Sequence, residues 1–153
     1  MLSKVLTLTN WSKMINKFQG ETRWLSNFYE CNIEVDGQTY LTTEHAFQSF
    51  KTLDPEEHEK VRLASTPGKA KRLGRKVQLR PDWEDIKITV MKRVNRIKFR
   101  DPELRQRLLD TGDQELVEGN TWNDRFWGVC KGKGRNELGK ILMEIREEIR
   151  NDG

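Results

Sequence analysis

Glu44, Gln48 and Lys51 fall at i, i+4 and i+7, the spacing that brings side chains onto one face of a helix. A carboxylate, an amide and an amine would then stand in a row, with Phe47 among them and Phe50 to one side. Beside aromatics such a row can line a polar pocket, where a carboxylate serves as acid or base and an amine as nucleophile or fixed cation. The same spacing equally fits a solvent-exposed face with an incidental ion pair.

A second group lies in residues 121–128, a predicted loop in which Trp122, Phe126 and Trp127 bracket Asn123 and Asp124. Aromatics stack on a flat base, and Asn and Asp hydrogen-bond a sugar or base edge. The alternative is an aromatic anchor that holds the loop on the core, with Asn123 making a turn. Gly132, Lys133, Gly134, Arg135 and Asn136 follow and lead into the last predicted helix. Glycines there let the backbone approach a phosphate at a helix N-terminus, although a plain helix-entry turn fits as well. The loop is not a Walker A motif, since no Ser or Thr follows Lys133. Residues 23–29 mix Trp24, Phe28 and Tyr29 with Ser26 and Asn27, a weak signal alone.

The elements that must position these groups read as a mostly helical (α+β) single domain with a small β-hairpin. Residues 1–17 form a lead-in, and the domain spans 18–150. In residues 31–41, Ile33 and Val35 alternate with polar neighbours, and Asp36-Gly37 supplies a tight turn. Thr42 or Thr43 caps a helix predicted to run to about Leu53. Pro55 opens the next helix, over 56–63, and Thr66-Pro67 a basic one that ends near Gly74. After Pro81-Asp82, Trp83, Ile86, Val90, Val94 and Ile97 make an apolar face, with Lys87, Lys92, Arg93, Arg96 and Arg100 solvated. Pro102 begins a short helix to Leu109, and residues 115–118 suit a strand. The last helix, from about Asn136 to Arg150, turns Leu138, Ile141, Leu142, Ile145 and Ile149 inward.

Composition narrows the function classes. A chain of 153 residues builds a core without disulfides or metals. No stretch approaches the roughly 20 apolar residues of a membrane span, and the apolar start breaks at Thr7 with no cleavage site. A cytoplasmic protein with no membrane contact is expected. Cys31 and Cys130 form no CxxC motif and read as free thiols, and with His45 and His58 they match no zinc spacing. Neither metal nor cofactor is expected. A net charge of +4 favours an anionic ligand, with nucleic acid compatible as a partner. Nothing in the sequence points to a particular oligomeric state.

Taken in order, the segments resemble one family. They are Leu25-Ser26-Asn27-Phe28, Val35-Asp36-Gly37, Thr43-Glu44-His45-Ala46-Phe47-Gln48-Ser49-Phe50-Lys51, Ala70-Lys71-Arg72-Leu73-Gly74-Arg75 and Trp83-Glu84. Lys98-Phe99, Asn123-Asp124-Arg125-Phe126-Trp127-Gly128, Gly132-Lys133-Gly134-Arg135-Asn136 and Leu138-Gly139 complete the series. Their joint order resembles the NADAR domain, or YbiA-like family, over residues 18–150. Arg125-Phe126 fills the variable middle of its segment, and Val129-Cys130 stands where some relatives have more glycine, a departure bearing on substrate choice.

The resemblance implies a mostly helical N-glycosidase that severs a ribose C1–nitrogen bond. It implies one of two substrates: a phosphorylated ribosylamino-pyrimidine of riboflavin biosynthesis, releasing ribose 5-phosphate, or guanine carrying ADP-ribose in nucleic acid. It matches Glu44, Trp83 and Asp124 to the family's functional positions. The expected catalytic residues are Glu44 and Asp124, with Lys51 either a charged partner or a Schiff-base amine. Asn27, Phe28, Gln48, Trp83, Asn123, Trp127, Gly132, Lys133 and Asn136 are the expected substrate contacts. A rival of another class is a module that binds ADP-ribose or a nucleotide without cleaving it.

Overall fold

The computed structural model describes residues 14–152. Residues 1–13, most of the expected lead-in, lie outside the described residues. The chain divides into two compact units, residues 27–101 and residues 14–26 with 102–152. Most of the regular structure is helical, and two short antiparallel strands make the one sheet among the described residues.

The unit of residues 27–101 starts with the hairpin. Strands β1 (Ile33–Val35) and β2 (Gln38–Tyr40) pair with Val35 opposite Gln38. Asp36 and Gly37 both take positive φ (52° and 82°), which suits a two-residue turn to the twist of its strands. Ile33, Val35 and Tyr40 are buried while Glu34 and Thr39 face outward, as a period of two requires.

Helix α1 (Thr43–Ser49) is capped by the Thr42 hydroxyl, which accepts from the His45 amide. It stops short of the expected Leu53. Pro55 disfavours helical backbone at Asp54, which is extended and caps α2 (Pro55–Arg62) by accepting from the Glu56 amide. The Thr52 hydroxyl accepts from the Asp54 amide, so the intervening residues serve the next helix's start. Helix α3 (Pro67–Gly74) begins at Thr66, as its Thr-Pro pair predicts.

Helix α4 (Trp83–Lys98) departs from its expected face. Ile86, Val90 and Ile97 are only half-buried, and the buried residues are Trp83, Met91, Val94, Asn95 and Lys98. The stripe still follows helical spacing, but two of its members are polar, so a hydrophobicity pattern passes over them. Lys98 is 1% exposed, with its ammonium 5.2 Å from the Phe99 ring centroid and 5.6 Å from that of Tyr29. Burial pushes its pKa down to about 8, weakly opposed by Cys31.

This lysine gives stability a pH dependence. Its folded pKa lies below its unfolded value of about 10.4, so between them the unfolded chain binds more protons. The contribution of Lys98 should therefore rise as pH rises from about 8 to about 10.4, by about 3 kcal/mol, while Cys31 and Tyr40, whose pKa values burial raises, act in the opposite sense over the upper part of that range. Lys98→Met should remove that rise and be the more stable protein at pH 7. Urea unfolding of both proteins at pH 7 and pH 10 measures this, and an identical pH dependence in the two would contradict it.

The other unit holds a short 3-10 helix (Gly20–Leu25), α5 (Pro102–Asp110) and α6 (Glu137–Asp152). Leu104 and Leu108 of α5 are buried with Leu138, Ile141, Leu142 and Ile145 of α6; Ile149 is half-buried. Buried Arg146 donates to the Thr111 hydroxyl and the Gln114 carbonyl, both at 2.9 Å. The expected strand at 115–118 is only an isolated parallel bridge, Ile15 to Leu116. Pairing stops there because the Glu118 amide donates to the Asn136 side chain and the Gly119 amide to the Val117 carbonyl.

Candidate active site

Every residue of α1 is buried, although its sequence, TEHAFQS, holds only two apolar side chains. Glu44 is 6% exposed and Gln48 4%, so the reading of this face as solvent-exposed fails. Burying a carboxylate and an amide is costly unless each is held by partners. Gln48 Nε2 donates to Glu44 Oε1 at 3.2 Å, one turn away. Gln48 Oε1 is buried with no hydrogen-bond partner among the described residues.

Gly74 makes the clamp possible. A Cβ at this position would lie 2.0 Å from Gln48 Oε1 and 2.8 Å from its Cδ. Gly74→Ala should therefore push the Gln48 amide off its place beside Glu44 and lower kcat about tenfold or more, with the fold retained. Steady-state kinetics beside a circular dichroism melt checks this; full activity would show that the clamp is dispensable.

The start of α1 is braced from below. The Asn27 carbonyl accepts from the Glu44 amide at 3.1 Å. Asn27 Oδ1 accepts from the Thr43 hydroxyl at 2.8 Å and Asn95 Nδ2 at 3.3 Å, and its Nδ2 donates to Met91 Sδ. Expected as a substrate contact, Asn27 is instead 8% exposed and spends its side chain on this brace. Phe28 beside it is half-buried. His45 is held at both nitrogens, Nδ1 by the Thr42 hydroxyl at 2.8 Å and Nε2 by the Ala64 carbonyl at 2.9 Å. Burial lowers its pKa, so it is a neutral strut.

Phe47 is one wall. Trp83 packs on it with ring centroids 5.0 Å apart at 57°, and at 5% exposure it offers little free face for stacking on a base. The Lys51 ammonium stands 6.0 Å from the Phe47 centroid. Lys51 lies just past the end of α1, and its carbonyl accepts from the Arg80 amide at 2.8 Å. Burial lowers the Lys51 pKa; Glu44 raises it again, and the like charges of Arg75, Lys71 and Lys87 push it down. Glu44, Gln48, Lys51 and Trp83 thus gather in one unit, with Asn27 beneath.

Asn123, Asp124, Trp127, Gly132, Lys133 and Asn136 belong to the other unit. Asp124 is fixed as an Asx turn: its Oδ1 accepts from the Phe126 and Trp127 amides at 3.2 and 3.0 Å. Asn120 grips it from behind, accepting from the Asp124 amide and donating to its carbonyl. No donor among the described residues reaches Asp124 Oδ2, so one oxygen stays available. Asn123 is exposed with φ 66°, and half-buried Trp127 meets Phe126 edge-on at 4.7 Å.

The expected phosphate cradle at 132–136 is not built. Lys131 and Gly132, with φ 52° and 74°, make a two-residue turn closed by Cys130 and Lys133. The amides of Arg135, Asn136, Glu137 and Leu138 donate to the carbonyls of Arg125, Gly128, Phe126 and Trp127. Loop carbonyls thus occupy the donors that an anion would need at the start of α6. Asn136 is a latch, accepting from the Glu118 amide and donating to the Leu116 carbonyl at 2.9 Å.

A sequence model of the NADAR domain matches residues 14–150, across both units. The chain belongs to the NADAR domain family. The N-glycosidase YbiA of Escherichia coli (strain K12) is 46% identical over 128 residues, 81% of this chain and 79% of the relative. A riboflavin biosynthesis protein of Vibrio vulnificus is 45% identical over 130 residues, 82% of this chain but 35% of that longer protein. The NMR structure of E. coli YbiA aligns with a TM-score of 0.82 at 41% identity, covering 91% of this chain and 86% of that one. The mostly helical fold with its small antiparallel sheet is the fold of this NADAR relative.

Three groups in this NADAR chain escape sequence reasoning. Asn95 lies on a helix face and Gly74 at a helix end, and only packing shows what they hold. Asn120 belongs to none of the family-like motifs, and its Nδ2 is also 3.0 Å from Glu118 Oε2. Among the described residues no three of His, Cys, Asp and Glu are grouped to hold a metal ion, and no helix is long and apolar enough to cross a membrane.

Proposed function

We propose that this NADAR protein hydrolyses the ribose C1–N bond of a phosphorylated ribosylamino-pyrimidine from riboflavin biosynthesis, releasing ribose 5-phosphate. The observation that carries the reading is the fully buried α1 with its Gln48–Glu44 clamp. A fold does not bury these groups for stability, because an apolar helix would serve that better. The name of the E. coli relative, an N-glycosidase, and that of the V. vulnificus relative support the bond and the substrate class.

Breaking the bond leaves positive charge on the ribose carbon and the bonding pair on the departing nitrogen. A water oxygen bonds to C1, one of its protons goes to a base, and the nitrogen gains a proton. Glu44 stabilises the cationic sugar or relays the proton, and Gln48 fixes its carboxyl orientation. Asp124, with one oxygen pinned and one available, is assigned a ribose hydroxyl or the water. Lys51 acts as a charged partner of Glu44. Borohydride should therefore leave no sugar adduct on the protein; an adduct on wild type but not on Lys51→Ala would give Lys51 the Schiff-base role.

The substrate is tested by comparing kcat/KM for the phosphorylated ribosylamino-pyrimidine with that for guanine carrying ADP-ribose. The pyrimidine should be preferred. Faster release of ADP-ribose would move the assignment to guanine, and tight binding without cleavage of either would make the chain a binding module.

A further inference from the structure

From Lys60 to Arg80 the chain carries eight Lys and Arg residues and no carboxylate. Helix α3 lies inside this run, against α1. Its buried residues Ala70 and Gly74 face the Gln48 side, and Lys71 and Arg75 each follow one of them by a single position. They are one turn apart on the helix, so both flank the clamp. Among the described residues neither side chain is in an ion pair. On the other side, Trp83 fixes the first turn of α4 on Phe47, and Lys87 stands one turn further along α4. Lys87 pairs with Glu84 at 3.0 Å. Lys51, over the same Phe47 ring, completes the group.

We infer that Lys51, Lys71, Arg75 and Lys87 form the binding site for the phosphoryl group of the substrate's ribose phosphate. The inference rests on the N-glycosidase reading above and names what anchors that substrate. Four cations on α3, on α4 and just past the end of α1 repel one another, and a dianion among them turns the repulsion into attraction. All three of Lys71, Arg75 and Lys87 act on Lys51 electrostatically, in agreement with this placement. The amides that begin α6 are already taken, so that loop does not compete for the role. Arg75 supplies a planar fork for two phosphate oxygens, and the lysines supply point charges.

The test is the binding of ribose 5-phosphate and of inorganic phosphate to the full chain, followed by calorimetry or NMR titration. The Lys71→Ala/Arg75→Ala double variant should bind both about tenfold or more weakly. Lys69→Ala/Arg72→Ala makes the same charge change at two other residues of α3, each one position or more away from the face that Ala70 and Gly74 turn to Gln48, and should bind as wild type does. Wild-type affinity in the first double variant, or equal losses in both, would overturn the site. Loss of oligonucleotide binding alone in the first, with ribose 5-phosphate unaffected, would also overturn it. Because product binding needs no turnover, a chain that cleaves nothing sinks the N-glycosidase reading and still answers this question.

Discussion

Glu44→Gln should lose about a thousandfold or more in kcat while folding as the wild type does. The amide has nearly the shape of the carboxyl, and its oxygen still accepts from Gln48 Nε2 where Oε1 does now. The Asn27 carbonyl still holds the backbone amide of residue 44, so the frame of α1 is untouched. What disappears is the negative charge and the capacity to exchange a proton. Lys51 loses its charged partner, so some loss of stability is expected while the fold is kept. Substrate affinity should change far less than kcat, since the loss falls on the transition state. A folded Glu44→Gln protein with wild-type kcat would remove Glu44 from the chemistry.

Gly134→Ala should cost about 3 kcal/mol or more of stability. Its φ of 152° is glycine's territory, and a Cβ would sit 2.1 Å from the Gly128 carbonyl oxygen and 2.9 Å from Val129 Cα. Both obstacles are backbone, so no side chain can swing away. That carbonyl also accepts from the Asn136 amide, and its neighbours at 125–127 accept from the other amides that open α6. The substitution thus pries the Asp124 loop from the helix it caps. A melting temperature lower by roughly 10 °C is expected for a chain of this size. Gly132→Ala is the contrast: its φ is 74° but a Cβ there meets nothing within 4 Å, so only about 1 kcal/mol of strain is expected. Equal melting temperatures for the two variants would contradict this account of the loop.

Local chemistry made much of the fold legible. Asp36-Gly37 specifies its turn, and Thr42, Asp54 and Thr66 cap helices by contacts within three residues. What failed depends on distant partners. The early end of α1 follows from competition with the cap of α2, which helical periodicity does not register. Asn95 and Lys98 sit on a buried face because Asn27 and the aromatics around Lys98 receive them. The 115–118 segment looks like a strand but finds one partner residue, after which its donors turn elsewhere.

The site was legible in part for the same reason. Spacing placed Glu44 and Gln48 on one face, and the joint motif order pointed to the chemistry. Their burial, the Gly74 seat and the Asn27–Asn95 brace required the packed unit. For residues 132–136 the glycines were visible, but they serve a tight turn and a close backbone approach. The basic character of α3 was visible too; its placement beside the clamp was not.

We propose that the buried Glu44 carries the cleavage of a ribose C1–N bond by this NADAR chain. The most direct measurement is mass spectrometry of wild-type protein incubated with the phosphorylated ribosylamino-pyrimidine, beside Glu44→Gln. Wild type should release ribose 5-phosphate and the free aminopyrimidine in equal amounts, and the variant should leave the substrate intact. Intact substrate with both proteins, or equal release by both, would contradict it.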